Sequence, residues 1–374
     1  DVELLRRAVR ELHAGYGRYT SPAATDALLD DLERAVADGS TDLELYRRVS
    51  AILPVLRCDH TMAELPPAIE AHRMRTPSYL PYTFRIVHGR LHVDVARAGT
   101  GLRRGDEIVS INGRPTGAVL EDVARFVPVD GWTDHVRPVA MASSSEFLGG
   151  AVDHFWPMIE EWPRSWTFGV RRLGEATVRE VRAAPITYPQ WLELDADKEG
   201  RWRNFADSVE FRMLDERTGY LSIGTFVNYR SPVDPAAILD PVFDRLREVD
   251  AEHLVLDLRR CGGGSTDVPD ALMTYLLDVV PERAARRPWV RAVGVGDLRP
   301  HLSTWDETVF DAPPELFHDL GNGHHELRLP GGNASTDARP NRFTGPLTVL
   351  IGPANSSGAT ALIALLDAHH PALR

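Results

Sequence analysis

The fold of this chain is decided by one stretch of its sequence, Leu254-Val255-Leu256-Asp257-Leu258-Arg259-Arg260-Cys261-Gly262-Gly263-Gly264-Ser265. An apolar run typical of a β-strand leads into three consecutive glycines, and a helical pattern follows from about residue 268. A buried strand that ends in glycines beside a helix presents backbone N–H groups in a concave turn that can hold an anion. That anion is either a bound phosphate or the oxyanion that forms during acyl transfer. No P-loop lysine or dinucleotide spacing accompanies the glycines, which favours the oxyanion.

Strands alternate with helices on both sides of this stretch. Such alternation predicts a parallel or mixed sheet covered by helices, with ligands bound at the carboxyl ends of the strands. A second turn, rich in small residues, follows the last strand and contains Ser356, Ser357 and Gly358. We therefore expect the glycine turn and the serine turn at the same sheet edge. The expected strands are residues 219–226, 254–258 and 347–352. The expected helices are residues 235–249, 268–280 and 361–369. Residues 283–344 are expected to be loops with a β-hairpin.

The preceding two hundred residues are expected to form three further parts. Apolar residues at helical spacing predict a helical region at the N-terminus. A hairpin signal at His88-Gly89 and a tight turn at Asn112-Gly113 then predict a small β-rich module, of a kind that binds extended peptides at its edge. A Trp- and Pro-rich connecting β and loop region follows, whose tryptophans are expected to pack in cores. The predicted domains are residues 1–75 (helical), 80–127 (β-rich module), 128–215 (connecting region) and 216–374 (α/β domain).

The charge, the apolar runs and the cysteines of the chain argue against several classes of partner and cofactor. The chain has 374 residues and a formal net charge of −12, which argues against a nucleic-acid partner. No apolar run approaches the ~20 residues that span a bilayer, so no membrane span is expected. Cys58 and Cys261 are the only cysteines; neither has the spacing of a metal ligand, and we expect no metal and no cofactor. The sequence leaves open whether Cys58 and Cys261 form a disulfide with each other.

The two ends of the sequence suggest that a longer protein was processed or trimmed. The chain starts at Asp1 without Met and without a signal-type apolar segment. Its location therefore stays open between an extracytoplasmic one, after removal of a leader, and a cytoplasmic one. The sequence stops at Arg374 in a stretch typical of the approach to another strand, so we expect the α/β domain to continue beyond it.

The serine turn provides a candidate nucleophile. A serine directly before a helix gains from the helix N-terminus, and the next N–H can point at the same oxygen as the glycine turn. The alternative is an ordinary helix N-cap. A serine nucleophile also needs a base. The only lysine, Lys198, stands in a polar loop and is interpreted as a solvated charge, whereas His60 follows a predicted helix in the segment Cys58-Asp59-His60-Thr61.

These motifs together resemble a known family. Asp257-Leu-Arg-Arg-Cys-Gly-Gly-Gly resembles the Asp-Leu-Arg-Gly-Asn-x-Gly-Gly motif of the serine peptidases that include the C-terminal processing (tail-specific) peptidases, tricorn protease and interphotoreceptor retinoid-binding protein. Other parts follow in the family's order. Residues 58–61 resemble the Asp-Gly-His-Thr signature of tricorn-like members, residues 101–115 resemble a PDZ segment, residues 219–226 resemble the Gly-Tyr strand, and residues 349–358 resemble the nucleophile strand and turn.

The resemblance implies a multidomain α/β fold, with an N-terminal helical region, a PDZ-like β-rich module and a catalytic domain whose mixed sheet is crotonase-like (ββα). It implies a serine peptidase that acts on peptides or unfolded proteins through an acyl-enzyme. Ser357 is then the nucleophile, although counting from Ser-Ser-Gly selects Ser356. Gly358 with Gly263 or Gly264 forms the oxyanion hole. His60 is the base, as in tricorn-like members, unless a lysine beyond the last residue serves, as in the processing-peptidase branch.

Two departures from the motif keep other functions open. Arg260 and Cys261 stand where the family has Gly and Asn. One alternative is a non-catalytic binding protein for a peptide or a small apolar ligand. The other is an acyl-transfer enzyme of biosynthesis, such as a cyclase, ligase or esterase. The sequence does not determine the substrate or the oligomeric state.

Overall fold

The computed structural model describes residues 1–36, 39–143, 147–195, 204–281, 289–304, 310–328 and 337–373. Two residues named in the sequence analysis, Lys198 and Arg374, lie outside the described residues. The chain divides into two compact units. The first unit comprises Asp1–Asp195 and Arg286–Pro330, and the second comprises Ala196–Ala285 and Gly331–Arg374.

Helices are distributed over both units. In chain order the α-helices are α1 (Val2–Arg7), α2 (Pro22–Ala35), α3 (Asp42–Ile52), α4 (Pro67–Arg75), α5 (Thr116–Ala124), α6 (Arg137–Ser143), α7 (Ala151–Phe155), α8 (Tyr188–Leu194), α9 (Pro235–Glu248), α10 (Asp267–Leu276) and α11 (Ser357–His369). A π-helical turn, Ala8–Leu12, continues α1. Short 3₁₀ segments are Leu53–Leu56, Asp134–Val136, Trp156–Met158, Ala206–Ser208, Gly296–His301 and Pro314–Leu316.

Within the described residues, the strands form three sheets. They are β1 (Tyr82–Val87), β2 (Arg90–Ala96), β3 (Glu107–Ile111), β4 (Arg114–Pro115), β5 (Trp166–Arg171), β6 (Val178–Ala183), β7 (Val209–Met213), β8 (Thr218–Ile223), β9 (His253–Asp257), β10 (Trp289–Val290), β11 (Phe317–Asp319), β12 (His325–Leu327) and β13 (Leu347–Leu350).

Two N-terminal helices of the first unit, α2 and α3, begin with favourable N-cap residues. Ser21 caps α2 by accepting a hydrogen bond from Ala24 N–H, and Pro22 occupies the first helical position. Thr41 and Glu44 form a capping box at the start of α3. The expected helices in this part of the sequence are therefore confirmed. They share a small apolar core of Val9, Tyr16, Leu29, Leu53 and Leu56.

The main sheet of the first unit has the strand order β1-β2-β3-β5-β6, with β4 paired to β3, and all of its pairs are antiparallel. The predicted hairpin is confirmed: His88 and Gly89 join β1 to β2 with positive φ angles of 51° and 74°. Such angles are those of the tight turns that match strand twist. Strands β5 and β6 come from the segment interpreted as a connecting region, and they complete the sheet begun by β1–β4.

Three tryptophans anchor the core under this sheet. Trp156, Trp166 and Trp191 are at most 1% exposed, which confirms the expected core role for these three. Trp132, in contrast, is 70% exposed. The first unit also contains a three-stranded antiparallel sheet, β10-β12-β11, in which β11 and β12 form the hairpin expected within residues 283–344.

The second unit is built on a four-stranded mixed sheet with the order β13-β9-β8-β7. Strands β13, β9 and β8 are parallel to one another, and β7 pairs antiparallel with β8. The predicted α/β fold with a mixed sheet is therefore confirmed. Helices α9, α10 and α11 pack apolar side chains against the strands, and the buried core includes Leu239, Phe243, Leu256, Leu272 and Leu362.

Two helices of this unit have bounds that differ from the expected ones. The helix expected at residues 268–280 ends at Leu276, after which Leu277 is extended. The helix expected from residue 361 begins four positions earlier, at Ser357, because its first turn consists of small residues that the apolar periodicity does not mark. The earlier start matters because it places Ser357 at the first helical position. Among the described residues, no helix combines the length and apolarity needed to cross a membrane.

Candidate active site

The glycine turn connects the carboxyl end of β9 to α10. Leu258 and Cys261 are fully buried in this turn, and Cys261 N–H donates a hydrogen bond of 2.8 Å to Leu258 O. The residues between and after them, Arg259, Arg260 and Gly262, are exposed. This hydrogen bond closes a tight turn that keeps Leu258 and Cys261 in the core and leaves the two arginines in solvent.

Only glycine fits the last two positions of the turn. Gly263 and Gly264 have φ angles of +99° and +140°, which side chains with a Cβ rarely adopt. A Cβ on Gly264 would lie 2.3 Å from the backbone of Phe226 and Val227. This close approach continues the parallel pairing beyond β8, because Phe226 N–H donates to Gly263 O at 2.8 Å and Ser265 N–H donates to Phe226 O at 2.9 Å.

The serine turn connects β13 to α11 and lies beside the glycine turn. Strands β9 and β13 are parallel with Asp257 opposite Leu350, so their carboxyl ends meet at one edge, as the sequence predicts. Asn355 joins the two turns. Its amide donates hydrogen bonds to Leu258 O at 2.6 Å and Cys261 O at 3.0 Å, while its Oδ1 accepts from Gly352 N–H at 2.7 Å.

Ser357 has a strained backbone at the start of α11. Its φ angle is +48°, although it is not a glycine. A residue with a Cβ pays about 1–3 kcal/mol for such a conformation. Its neighbour Ser356 is the extended N-cap residue, with φ −146° and ψ 174°. The Ser357 side chain is exposed, whereas Ala359, in the first turn of the helix, is buried.

The two turns bring four predicted site residues together: Ser357, Gly358, Gly263 and Gly264. A Cβ built on Gly263 would lie 2.8 Å from Gly358 N and 3.0 Å from Ser357 Cβ. A Cβ built on Gly358 would lie 3.8 Å from Gly264 N. Within the described part of the chain, the N–H groups of Gly358 and Gly264 donate to no protein acceptor.

Both cysteines are free thiols. Cys261 is buried in the core of the second unit, and its burial raises the pKa of the thiol to about 12. The thiol is therefore protonated and unreactive at neutral pH. At this position the side chain acts as a small apolar core residue.

Asp257, the last residue of β9, is a buried carboxylate held by two neighbours. Arg259 donates to both of its oxygens, at 2.6 Å to Oδ2 and 3.0 Å to Oδ1, and Tyr220 donates to Oδ2 at 2.6 Å. Burial alone raises the pKa of this carboxyl, but the hydrogen bonds from Arg259 and Tyr220 outweigh it and lower the pKa to about 2. The carboxylate is therefore charged at neutral pH and fixes the beginning of the glycine turn.

The remaining predicted site residue, His60, lies in the first unit, in the loop after the 3₁₀ segment Leu53–Leu56. Its side chain is exposed, and its Nδ1 contacts Asp59 Oδ1. Asp59 N–H in turn donates to Asp130 Oδ1 at 2.9 Å. His60 is thus accompanied by two carboxylates, one adjacent in sequence and one about seventy positions later.

Sequence reasoning overlooked two residues around these sites. Asn355 precedes the two serines, and its bridging role depends on carbonyls more than ninety positions away. Asp130 carries no local motif. Its position beside His60 depends on how two distant loops pack, which periodicity does not reveal.

Comparisons with known proteins agree with this architecture. Residues 217–373 match the sequence model described as Peptidase family S41. The crystal structure of mature CPAF is similar in fold, with a TM-score of 0.60, 16% identity, and coverage of 100% of this chain and 81% of that chain. The structure of mature CPAF complexed with lactacystin has a TM-score of 0.61 and 15% identity, and the match covers 100% of this chain and 82% of that chain. No curated protein matches the sequence.

The family match defines the class of protein as a serine-type peptidase, a hydrolase that acts on peptides or proteins. Residues 217–373, the part of the chain that carries the glycine turn and the serine turn, match the model of peptidase family S41. The family predicted from the glycine motif and the serine turn is therefore confirmed.

We expect Gly264→Ala to destabilise the second unit by at least about 2 kcal/mol, since a Cβ at this φ angle meets the backbone of Phe226 at 2.3 Å. Gly262→Ala is the matched control: the nearest atom to its Cβ would be Ala354 O at 3.7 Å, so a change within about 0.5 kcal/mol is expected. Urea unfolding of both variants measures the difference. Equal midpoints for the two variants would contradict the assigned backbone geometry.

The low pKa of Asp257 predicts an acid-dependent contribution to stability. Because the folded-state pKa of about 2 lies below the unfolded value of about 3.9, the contribution is full above about pH 4 and is lost as the pH falls towards 2. Tyr220→Phe removes one donor, so the variant should be less stable than the wild type at pH 7, and this deficit should shrink as the pH falls towards 2. Urea unfolding across this range tests it, with the exposed Tyr229→Phe as control. A deficit that does not change with pH contradicts the role given to Tyr220.

Proposed function

We propose that this chain hydrolyses peptide bonds through an acyl-enzyme formed on Ser357. The observation that carries the proposal is the left-handed backbone of Ser357 at the first position of α11, in contact with Gly263 and exposed to solvent. Strain of this kind persists only where the surrounding structure imposes it, and it is typical of nucleophiles at strand-to-helix turns. Ser356 has the ordinary extended backbone of an N-cap, which favours Ser357 as the nucleophile.

The oxyanion hole is proposed to consist of Gly358 N–H and Gly264 N–H. Gly358 N–H belongs to the first turn of α11, where the helix dipole favours negative charge. Gly264 is favoured over Gly263 because Gly264 N lies close to Gly358, 3.8 Å from the position of a Cβ built on that residue. Two donors fixed before the reaction stabilise the tetrahedral intermediate without reorganisation, and each contributes about 10²–10³ in rate.

His60 is proposed as the general base. The resemblance of residues 58–61 to the His signature of tricorn-like members supports this role, and so does the contact of Asp59 with Nδ1. A carboxylate at Nδ1 fixes the tautomer and stabilises the imidazolium. The imidazole takes the proton of Ser357 Oγ as the acyl bond forms and returns it to the leaving amine. Water then hydrolyses the acyl-enzyme by the same route.

The substrate is proposed to be an extended segment of peptide or unfolded protein. An extended chain binds by adding a strand to an open sheet edge, which supplies main-chain hydrogen bonds independent of side-chain identity. Strand β6 is an edge of the main sheet in the first unit, and its residues alternate between exposed and half-buried side chains. A PDZ-like role for this sheet is part of the proposal.

Replacing the nucleophile tests the central step. We expect Ser357→Ala to lower kcat by at least ~10³-fold, whereas Ser356→Ala should retain most of the activity. Hydrolysis of a fluorescently labelled unfolded protein measures both, and labelling by a fluorophosphonate probe should disappear only in Ser357→Ala. Full hydrolysis by Ser357→Ala contradicts the proposal. A wild type that binds the substrate without cleaving it indicates a binding protein, and product joined to an added amine indicates an acyl-transfer enzyme.

Removal of the imidazole tests the base. We expect His60→Ala to lower kcat by about 10²–10⁴-fold with a smaller effect on KM, because proton transfer rather than binding is lost. Added imidazole should restore part of the activity of this variant. His301→Ala removes another exposed histidine of the same unit and should have no effect. Undiminished activity of His60→Ala would instead support a lysine base located beyond Arg374.

A further inference from the structure

The first unit contains a group of three side chains whose donor atoms converge. One sulfur, one ring nitrogen and one carboxylate oxygen, from Cys58, His60 and Asp130, all lie within 4.8 Å of one another. The sequence led us to expect no metal, because neither cysteine has the spacing of a metal ligand. Asp130 is more than seventy positions from Cys58, so the sequence does not show that the two side chains meet. We propose that these three side chains bind a zinc-type divalent ion, and that this ion inhibits the peptidase by occupying His60.

The donor set selects the class of metal. A thiolate, an imidazole and a carboxylate are the ligands that Zn²⁺ prefers, whereas Mg²⁺ and Ca²⁺ require oxygen ligands. Tetrahedral bonds of about 2.0–2.3 Å place neighbouring donor atoms roughly 3.5 Å apart. Separations of up to 4.8 Å therefore close through shifts of about 1 Å, which side-chain rotation supplies. Three protein ligands leave the fourth position to water.

The two loops that supply the ligands are clamped together by backbone contacts. Gly131 N–H donates to Arg57 O at 3.0 Å, and the Arg57 guanidinium donates to Gly131 O at 2.5 Å and to Asp134 at 2.9 Å. Asp59 N–H donates to Asp130 Oδ1 at 2.9 Å. The ligands are therefore held close before any metal arrives, which lowers the entropic cost of binding.

The site also has a supporting carboxylate and access to solvent. Asp59 contacts His60 Nδ1, and a metal bound through Nε2 completes the carboxylate–histidine–metal arrangement that strengthens metal sites. His60 and Asp130 are exposed and Cys58 is half-buried, so an ion can enter from solution. On binding, the Cys58 thiol releases its proton to the solvent as the metal–sulfur bond forms.

Inhibition follows because the His60 imidazole is both a ligand of the metal and the proposed base of the peptidase. A ring nitrogen that is bonded to a cation cannot accept a proton from a serine. This second half of the inference rests on the proposed role of His60 as base, whereas metal binding itself does not. The two halves are therefore measured separately.

Metal binding is measured on the whole chain by competition between the protein and a chromophoric zinc chelator. We expect one Zn²⁺ per chain, and a loss of affinity of at least ~10-fold in Cys58→Ala and in Asp130→Asn. His88→Asn removes an exposed histidine at a positive φ angle that Asn tolerates, and should bind zinc as the wild type does. With Co²⁺ as the probe, a thiolate-to-metal charge-transfer band should appear in the wild type and be absent in Cys58→Ala. Equal zinc affinity in all four proteins, or a cobalt spectrum without that band, overturns the site.

Inhibition is measured as the ratio of rates with and without Zn²⁺, each variant being compared with its own chelator-treated rate. We expect strong inhibition of the wild type and of His88→Asn, and at least ~10-fold weaker sensitivity in Asp130→Asn. Zinc binding by the inactive Ser357→Ala variant should equal that of the wild type. If the metal binds without inhibiting, the regulatory half is wrong and the site stands. If the wild type shows no peptidase activity but binds zinc through Cys58, the proposed function fails and the site stands.

Discussion

The candidate active site depends on the parallel pairing of β9 with β13 and on the single amide that extends it. Parallel strands bring their carboxyl ends to one edge, and the two turns that follow them then lie side by side. Asn355 holds the two turns at a fixed separation. Its side chain donates to two carbonyls of the glycine turn and accepts from an N–H group of its own turn. With all three of these bonds made, a displacement of one turn displaces the other.

The structure explains why Arg260 and Cys261 can differ from the family motif. Cys261 faces the core, where a buried neutral thiol packs as a small apolar side chain. Arg260 is exposed. The proposed oxyanion donors are backbone groups, so the essential requirement falls on the backbone angles of Gly263 and Gly264, and these two positions agree with the motif. The two substitutions alter packing and surface charge around the turn rather than the donors themselves.

At Ser357 the local backbone preference of the residue conflicts with the conformation that the fold imposes. A β-carbon is unfavourable at its φ angle, yet the chain keeps a serine there instead of a glycine. Natural sequences violate local preferences mainly where function requires it, and the strain is then sustained by the surrounding fold. Here the surroundings are the contact with Gly263, the buried Ala359 and the tie through Asn355. The neighbouring glycines show no such conflict, because they lack a Cβ, and their positive φ angles allow the close approach to Phe226.

The sequence by itself determined the mixed α/β fold, the edge at which the two turns meet, and the family. These properties follow from apolar periodicity, glycine chemistry and motif order, which are local in the chain. The tertiary structure decided that α11 starts at Ser357, that Asn355 joins the two turns, and that Asp130 lies beside Cys58 and His60. Each of these depends on strand register or on contacts between residues some seventy to one hundred positions apart. Periodicity constrains which face of an element is buried, but it does not specify which distant residue meets it.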